Sequence, residues 1–177
     1  AAEMKGTLAL MNVSDYLTWI AEVVLEHVVN VAFANLVSRH GYPRRADGSV
    51  CDSDFAVIGY GKLGGIELGY SSDLDLVFVH NADPQQSTDG DKSIDNAVFY
   101  TRLGQRIVHI LSTQTPSGQL YDVDMRLRPS GNSGLLVTTL QAFEKYQHTE
   151  AWTWEHQALA RARGIAGCPR TLEGFEE

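Results

Sequence analysis

Two short apolar runs with a glycine-rich turn between them limit this chain more than any other feature. Phe55-Ala56-Val57-Ile58 and Leu74 to Val79 are short, apolar and bounded by turn residues, so they read as buried strands. Gly59 to Gly65 forms the turn, which leads into a brief helical stretch near Ile66 to Leu68. A third strand is predicted over Leu120 to Leu127, where the residues alternate. Tyr121, Val123, Met125 and Leu127 point one way, and Asp122, Asp124 and Arg126 point the other.

Helical patterns surround these strands. Leu17, Ile20, Ala21, Val24, Val28, Val31 and Ala32 recur at three- and four-residue spacing and predict a helix from about Ser14 to His40. Ser14 is its expected N-cap, and Gly41 followed by Pro43 ends it. Tyr42 to Ser53 reads as a loop or linker, and Asn81 to Lys92 as an acidic loop whose carboxylates, Asp83, Asp89 and Asp91, are solvated, as is Asp95 beyond it. A long helix is expected over Ser93 to Ser112, capped by Ser93. Gly104 inside it costs roughly 1 kcal/mol against alanine, which predicts a close neighbour there. Thr138 and Gln141 have capping-box spacing and open a helix carrying Leu140, Phe143 and Tyr146. A further helix is expected over Ala151 to Arg163, and the residues from Gly164 onward read as the cut end of a longer protein.

Composition narrows the function. The formal charge of -8 argues against a protein that coats nucleic acid, which would need an excess of Lys and Arg. No apolar run approaches the roughly 20 residues that cross a bilayer, and the first residues lack the layout of a secretory signal. Cys51 and Cys168 have no metal-ligand spacing and read as isolated thiols. The expectation is a cytoplasmic protein with no membrane and no nucleic-acid partner.

The chemistry concentrates after the turn. Asp73 and Asp75 lie two apart on a strand and so project from one face, while Leu74 and Leu76 pack inward. Paired carboxylates repel unless a cation stands between them, and magnesium is the usual answer because it takes carboxylate oxygens and keeps places for phosphates. Asp124 and Arg126 share the polar face of the third strand, and Arg128 follows it. If the two strands are neighbours, three carboxylates and two guanidiniums converge, which is the inventory of a two-metal phosphoryl or nucleotidyl transfer. The glycines ahead of the acids permit close backbone approach to phosphate.

Gly64-Gly65, the Asp73-x-Asp75 pair and the later Asp124 resemble the signature of DNA polymerase beta-type nucleotidyltransferases. Three longer runs narrow that resemblance: Gly59 to Leu76, Asp124-x-Arg126-Leu127-Arg128-Pro129-Ser130-Gly131, and Ala151-Trp152-Thr153-Trp154-Glu155-His156-Gln157-Ala158-Leu159.

 In the second of these runs Met125 stands between Asp124 and Arg126. Together they resemble the glutamine synthetase adenylyltransferases, bifunctional enzymes with one domain that adds AMP and another that removes it by phosphorolysis. The match covers about Phe55 to Gly167, and the Gly-Tyr-Ser-Ser-Asp, Arg-Pro-Ser-Gly and Ala-Trp-Thr-Trp-Glu-His stretches look more like the carboxy-terminal, adding domain.

The resemblance implies an α+β fold: a small mixed sheet, with an added strand near Leu135 to Val137, helices on one face and flanking helices, the metal site opening on the other face. It implies an amino-terminal helical segment over 1–46 and a nucleotidyltransferase catalytic domain over 47–177. Asp73 and Asp75 would ligate two magnesium ions, and Asp124 would ligate the catalytic one and help deprotonate a tyrosine hydroxyl of glutamine synthetase. Gly64 and Gly65 would hold the triphosphate of ATP through backbone amides, with Lys62, Arg126 and Arg128 as phosphate contacts. Gly65 stands where related polymerases often have serine, so Ser71 or Ser72 would supply the missing hydroxyl. A PII signal protein is the implied regulator.

The sequence admits four other readings. Asp124 with Arg126 and Arg128 would equally make a surface salt-bridge cluster. Gly59-x-Gly61-x-x-Gly64 matches a dinucleotide-binding fingerprint, but only a very short helix fits before the next strand and the acids stand on that strand's polar face. The removing half-reaction is the enzymatic alternative, and a nucleotide-sensing module the non-enzymatic one. His80 and His156 lack metal-type spacing, and Trp152 and Trp154 read as packing residues; Glu155, Arg161 and Arg163 stay open between salt bridges and substrate contacts.

Overall fold

The computed structural model describes residues 2–60, 73–113, 116, 118, 121–126, 128–130, 134–149, 163–167 and 171. Helix α1 spans Ala2–His40, so it begins well before Ser14, which lies inside the helix and not at its cap. Its buried face is also turned from the expected stripe. Ala21, Val28 and Ala32 are buried as predicted, but Leu25, Val29 and Leu36 are buried with them while Val31 is exposed. Valine and leucine occupy most of the helix circumference here, so periodicity alone selects no single face. The stretch Asp15–His40 has a mean hydropathy of 1.6, long and apolar enough to cross a bilayer by composition, which corrects the expectation that no run comes near that length. In this fold a third of that window is buried, and its buried side chains share one core with the sheet.

Gly41, at φ +83°, ends α1. Its neighbour in space is Gly90, whose N–H donates to the His40 carbonyl at 2.9 Å. A Cβ on Gly41 would lie 2.2 Å from the Gly90 nitrogen, so the two backbones meet only as glycines. The acidic loop is therefore tied down. Asp89 accepts from the Tyr42 N–H at 2.8 Å and pairs with Arg44 at 2.7 Å, which corrects the reading of that acid as merely solvated. Arg45 forms a second, deeper pair, donating through Nε and Nη2 to both oxygens of the fully buried Asp54 at 2.7 and 2.8 Å.

Among the described residues the sheet has five strands: β1 (Phe55–Tyr60), β2 (Leu74–His80), β3 (Val123–Asp124), β4 (Val137–Thr139) and β5 (Arg163–Gly167). Strand β1 is antiparallel to β2 on one side and to β5 on the other. The far edge of β2 is shared: β3 pairs with its beginning and β4 with its end, both parallel. The expected α+β architecture with a small mixed sheet is thus observed. The added strand lies at Val137–Thr139, slightly later than Leu135 to Val137. Strand β5 was not expected; Arg163, read as the end of a helix, begins it, and it runs to Gly167. Gly167 in this strand donates its N–H to Glu26 of α1 at 3.0 Å, joining the last strand to the first helix.

Helix α2 spans Asn96–Ser112, with Asp95 and not Ser93 at its N-cap position. The Ser93 hydroxyl donates instead to the Thr88 carbonyl at 2.6 Å. Helices α1 and α2 cover the sheet face formed by Phe55, Val57, Leu74, Leu76 and Phe78. Helix α3 (Leu140–Thr149) flanks the opposite face, where Leu140 and Phe143 pack with Ala56, Ile58, Tyr60, Val77 and Val79. Its cap is Thr139, whose hydroxyl accepts from the Ala142 N–H at 3.0 Å; Thr138, the expected cap, lies in β4.

The neighbour predicted for Gly104 is β4. A methyl there would stand 2.6 Å from Val137 Cγ2 and 3.2 Å from both Leu136 Cδ2 and Phe78 Cδ2. Alanine gains about 1 kcal/mol of helix propensity, while overpacking costs roughly 1–3 kcal/mol. The expected outcome for Gly104→Ala is a lower denaturation midpoint, partly restored by Val137→Ala in the double variant.

His80 is buried on the face under α2, its ring stacked on Tyr100 with centroids 4.2 Å apart. Its Nδ1 accepts from the Ala82 N–H at 3.2 Å, so the ring is a satisfied core histidine. Burial pushes its pKa down to about 4, against an opposing pull from the Asp54 carboxylate. The unfolded chain takes up that proton near the ordinary value of 6.5, so stability is intact above this and is lost as the pH falls toward 4. Between pH 7 and pH 5 the loss is roughly 2 kcal/mol. Denaturant melts at the two pH values should show it, and His80→Asn, which keeps an acceptor for Ala82, should flatten the slope.

Candidate active site

The alternation of β2 sends Leu74, Leu76 and Phe78 toward α1 and α2, and Asp75 toward the face that carries Val77 and Val79. Helix α3 covers the far end of that face, and Asp75 stands at the near end. Strand β3 places Asp124 beside it: Asp75 and Asp124 are register partners on adjacent parallel strands. The pairing is anchored by the Leu74 N–H, which donates to the Asp122 carbonyl at 2.9 Å. Asp73, just ahead of β2, is exposed. The condition on which the sequence reading turned, that the two acid-bearing strands be neighbours, is therefore met.

These acids feel one another. Burial holds the Asp75 carboxyl above its usual range, and the negative charges of Asp124 and Asp73 push it further, with Arg126 opposing them. Asp124 is held low instead, chiefly by its hydrogen bonds with Arg126. Arg126 Nε lies 3.0 and 2.9 Å from the two Asp124 oxygens, Nη2 lies 2.6 Å from one, and the Arg126 backbone N–H donates at 2.9 Å. The Arg126 side chain is 75% exposed and Asp124 19%, so the guanidinium sits outside the carboxylate it clasps.

Arg128 follows on the turn. Its Nη1 donates to the Met125 carbonyl at 2.9 Å, and its Nε is buried with no hydrogen-bond partner among the described residues. Lys62, Gly64, Gly65, Ser71 and Ser72 lie outside the described residues, as do Trp152, Trp154, Glu155, His156, Arg161 and Cys168. Tyr60, not singled out from sequence, stands opposite Asp75 in the β1–β2 register. A single tyrosine ending an apolar run reads as packing, and only the strand pairing draws it to this position. Cys51 is buried and its thiol is pushed up to about 12, first by burial, in keeping with an inert thiol.

The donors suit a hard divalent cation: carboxylate oxygens from two strands, with mutual repulsion that a cation would relieve. Among the described residues, however, no three His, Cys, Asp or Glu side chains gather as a ready metal cage. Both oxygens of Asp124 are turned to Arg126. A groove of about 430 Å³ along α1, lined by Trp19, Glu22, Val23, Glu26, His27 and Asn30, includes none of these acids.

Comparison with known proteins gives a consistent result. The family model described as glutamate-ammonia ligase adenylyltransferase matches residues 1–177. A bifunctional glutamine synthetase adenylyltransferase/adenylyl-removing enzyme of Pseudomonas putida is 65% identical over 176 residues, 99% of this chain. Proteins of the same description from Pseudomonas aeruginosa and Thioalkalivibrio sulfidiphilus are 64% and 63% identical, over 99% and 100% of the chain. The chain spans about 18% of the length of these curated relatives.

Proposed function

The chain belongs to the glutamate-ammonia ligase adenylyltransferase family, and from that premise we propose that residues 47–177 are the catalytic domain of the adenylylating half, part of a longer protein. It transfers AMP from ATP to a tyrosine hydroxyl of glutamine synthetase. The observation that carries this reading is the parallel register of Asp75 with Asp124, which sets two carboxylates from separate strands side by side, with Arg126 at their edge.

In this reading the tyrosine oxygen attacks the α-phosphorus of ATP, the bond from that phosphorus to the bridging oxygen breaks, and pyrophosphate leaves. Asp124 accepts the tyrosine proton. Lys62, Ser72, Arg126 and Arg128, with the backbone amides of Gly64 and Gly65, hold phosphate oxygens and balance the charge that develops on the leaving group. Asp73, Asp75 and Asp124 would hold two magnesium ions, which supply Lewis-acid stabilisation of the phosphate charge when bound. The longer protein works in the cytoplasm, the compartment in which isolated thiols persist, and answers to a PII signal protein, as the family resemblance implies.

The test is transfer of AMP, labelled at the α-phosphate of ATP, onto purified glutamine synthetase. Magnesium-dependent labelling supports the adding half. No labelling, with phosphate-dependent release of AMP from modified glutamine synthetase, assigns the chain to the removing half instead. Silence in both assays, with ATP still bound, would favour a nucleotide-sensing module.

A further inference from the structure

Asp124 gives both carboxylate oxygens to one residue. Arg126 reaches them through Nε, Nη2 and its own backbone N–H, at 2.6 to 3.0 Å. A cation cannot take a carboxylate already satisfied this way without displacing the guanidinium. Displacement is easy here, because the Arg126 side chain is 75% exposed and an ion pair at a surface is weakly held. The geometry is also local: Arg126 lies two residues past the end of β3, so the guanidinium can swing away while Asp124 stays paired with β2.

We propose that Arg126 and a divalent cation are alternative partners of the Asp124 carboxylate, and that exchanging one for the other frees the guanidinium for a phosphate of the nucleotide. The proposal rests on the nucleotidyl-transfer reading above and adds an order of events to it. Without metal, Arg126 quenches Asp124 as ligand and base. With metal, the same arginine becomes a phosphate contact. The two bidentate partners, carboxylate and phosphate, suit the same guanidinium fork.

The test titrates Mn2+ onto the nucleotide-free chain and follows free Mn2+ by electron paramagnetic resonance. Arg126→Gln removes the competing group, and Arg126→Lys keeps its charge but not its fork. The exchange predicts that both variants bind Mn2+ about three- to fivefold more tightly than the parent, while a non-hydrolysable ATP analogue binds both more weakly at saturating Mn2+. Tighter binding by Arg126→Gln alone would mean simple charge repulsion and would overturn the exchange. So would equal or weaker Mn2+ binding by both. Asp75→Asn separates this failure from failure of the underlying reading. Saturable Mn2+ binding that it abolishes preserves the nucleotidyl-transfer site, whereas no saturable binding by the parent or either Arg126 variant sinks both.

Discussion

Asp75→Asn is expected to lower AMP transfer by roughly a hundredfold to a thousandfold, the range seen when one preorganised electrostatic group is removed from an active site. Asparagine keeps the shape and the strand backbone of β2, so its pairing with β1 and β3 survives. What it removes is the charge of the carboxylate that stands in register with Asp124. The stability readout moves the other way. The Asp75 carboxyl is held above its usual range by burial and then by the charges of Asp124 and Asp73, so its ionised form strains the fold. A melting temperature unchanged or raised, with transfer lost, would mark Asp75 as a group kept for function at some expense to stability. A variant that retains transfer would remove Asp75 from the machinery; one that loses transfer because it no longer melts cooperatively would show a structural role instead.

Arg45→Ala is expected to destabilise the protein by about 3 kcal/mol or more, the cost of leaving a buried charge without its partner. Asp54 is fully buried and both its oxygens face the Arg45 guanidinium, which is itself only 20% exposed. Asp54 also sits at φ +50°, after Ser53 at φ +76°, in the turn that enters β1. The Asp54 carbonyl accepts from the Asn81 N–H at 2.8 Å, so the same residue links the entry to β1 with the exit from β2. Denaturant titration of a double-mutant cycle checks the mechanism. Asp54→Asn should recover part of the loss in the Arg45→Ala background, because a neutral amide has no charge to strand. Additive losses would mean that the pair is not the unit.

Strands β1 and β2 were legible because each is a continuous apolar run between turn residues, and the acids because alternation assigns them a face. The meeting of Asp75 with Asp124 was legible only conditionally. Alternation says which side a residue faces, while strand order says which residues meet, and strand order is a long-range property. Strand β5 was missed for a local reason. Arg-Gly-Ile-Ala-Gly has two glycines and a single branched apolar residue, so nothing in it speaks for a strand until β1 offers its edge. The caps of α2 and α3 each fell a residue or two from their expected places, at Asp95 and Thr139: Ser93 gives its hydroxyl to the Thr88 carbonyl instead, and two adjacent threonines fit a cap pattern equally well from sequence. A salt-bridge cluster of Asp124 with Arg126 and Arg128 was one reading of the sequence, and the Asp124–Arg126 pair is made; the sequence did not choose it over separate roles on metal and phosphate, which the same residues also suit.

The place of β5 has a consequence for how this chain can be made and cut. Strand β1 is apolar and fully buried, yet the neighbour that completes its second side appears only at Arg163–Gly167. Until the ribosome has delivered that stretch, β1 offers an open, sticky border on which another nascent copy can add. Any shortened version ending before Arg163 keeps that border permanently and also loses the Glu26–Gly167 link to the first helix. The natural unit for handling this protein therefore reaches through Gly167, however far from the acids that residue seems in sequence.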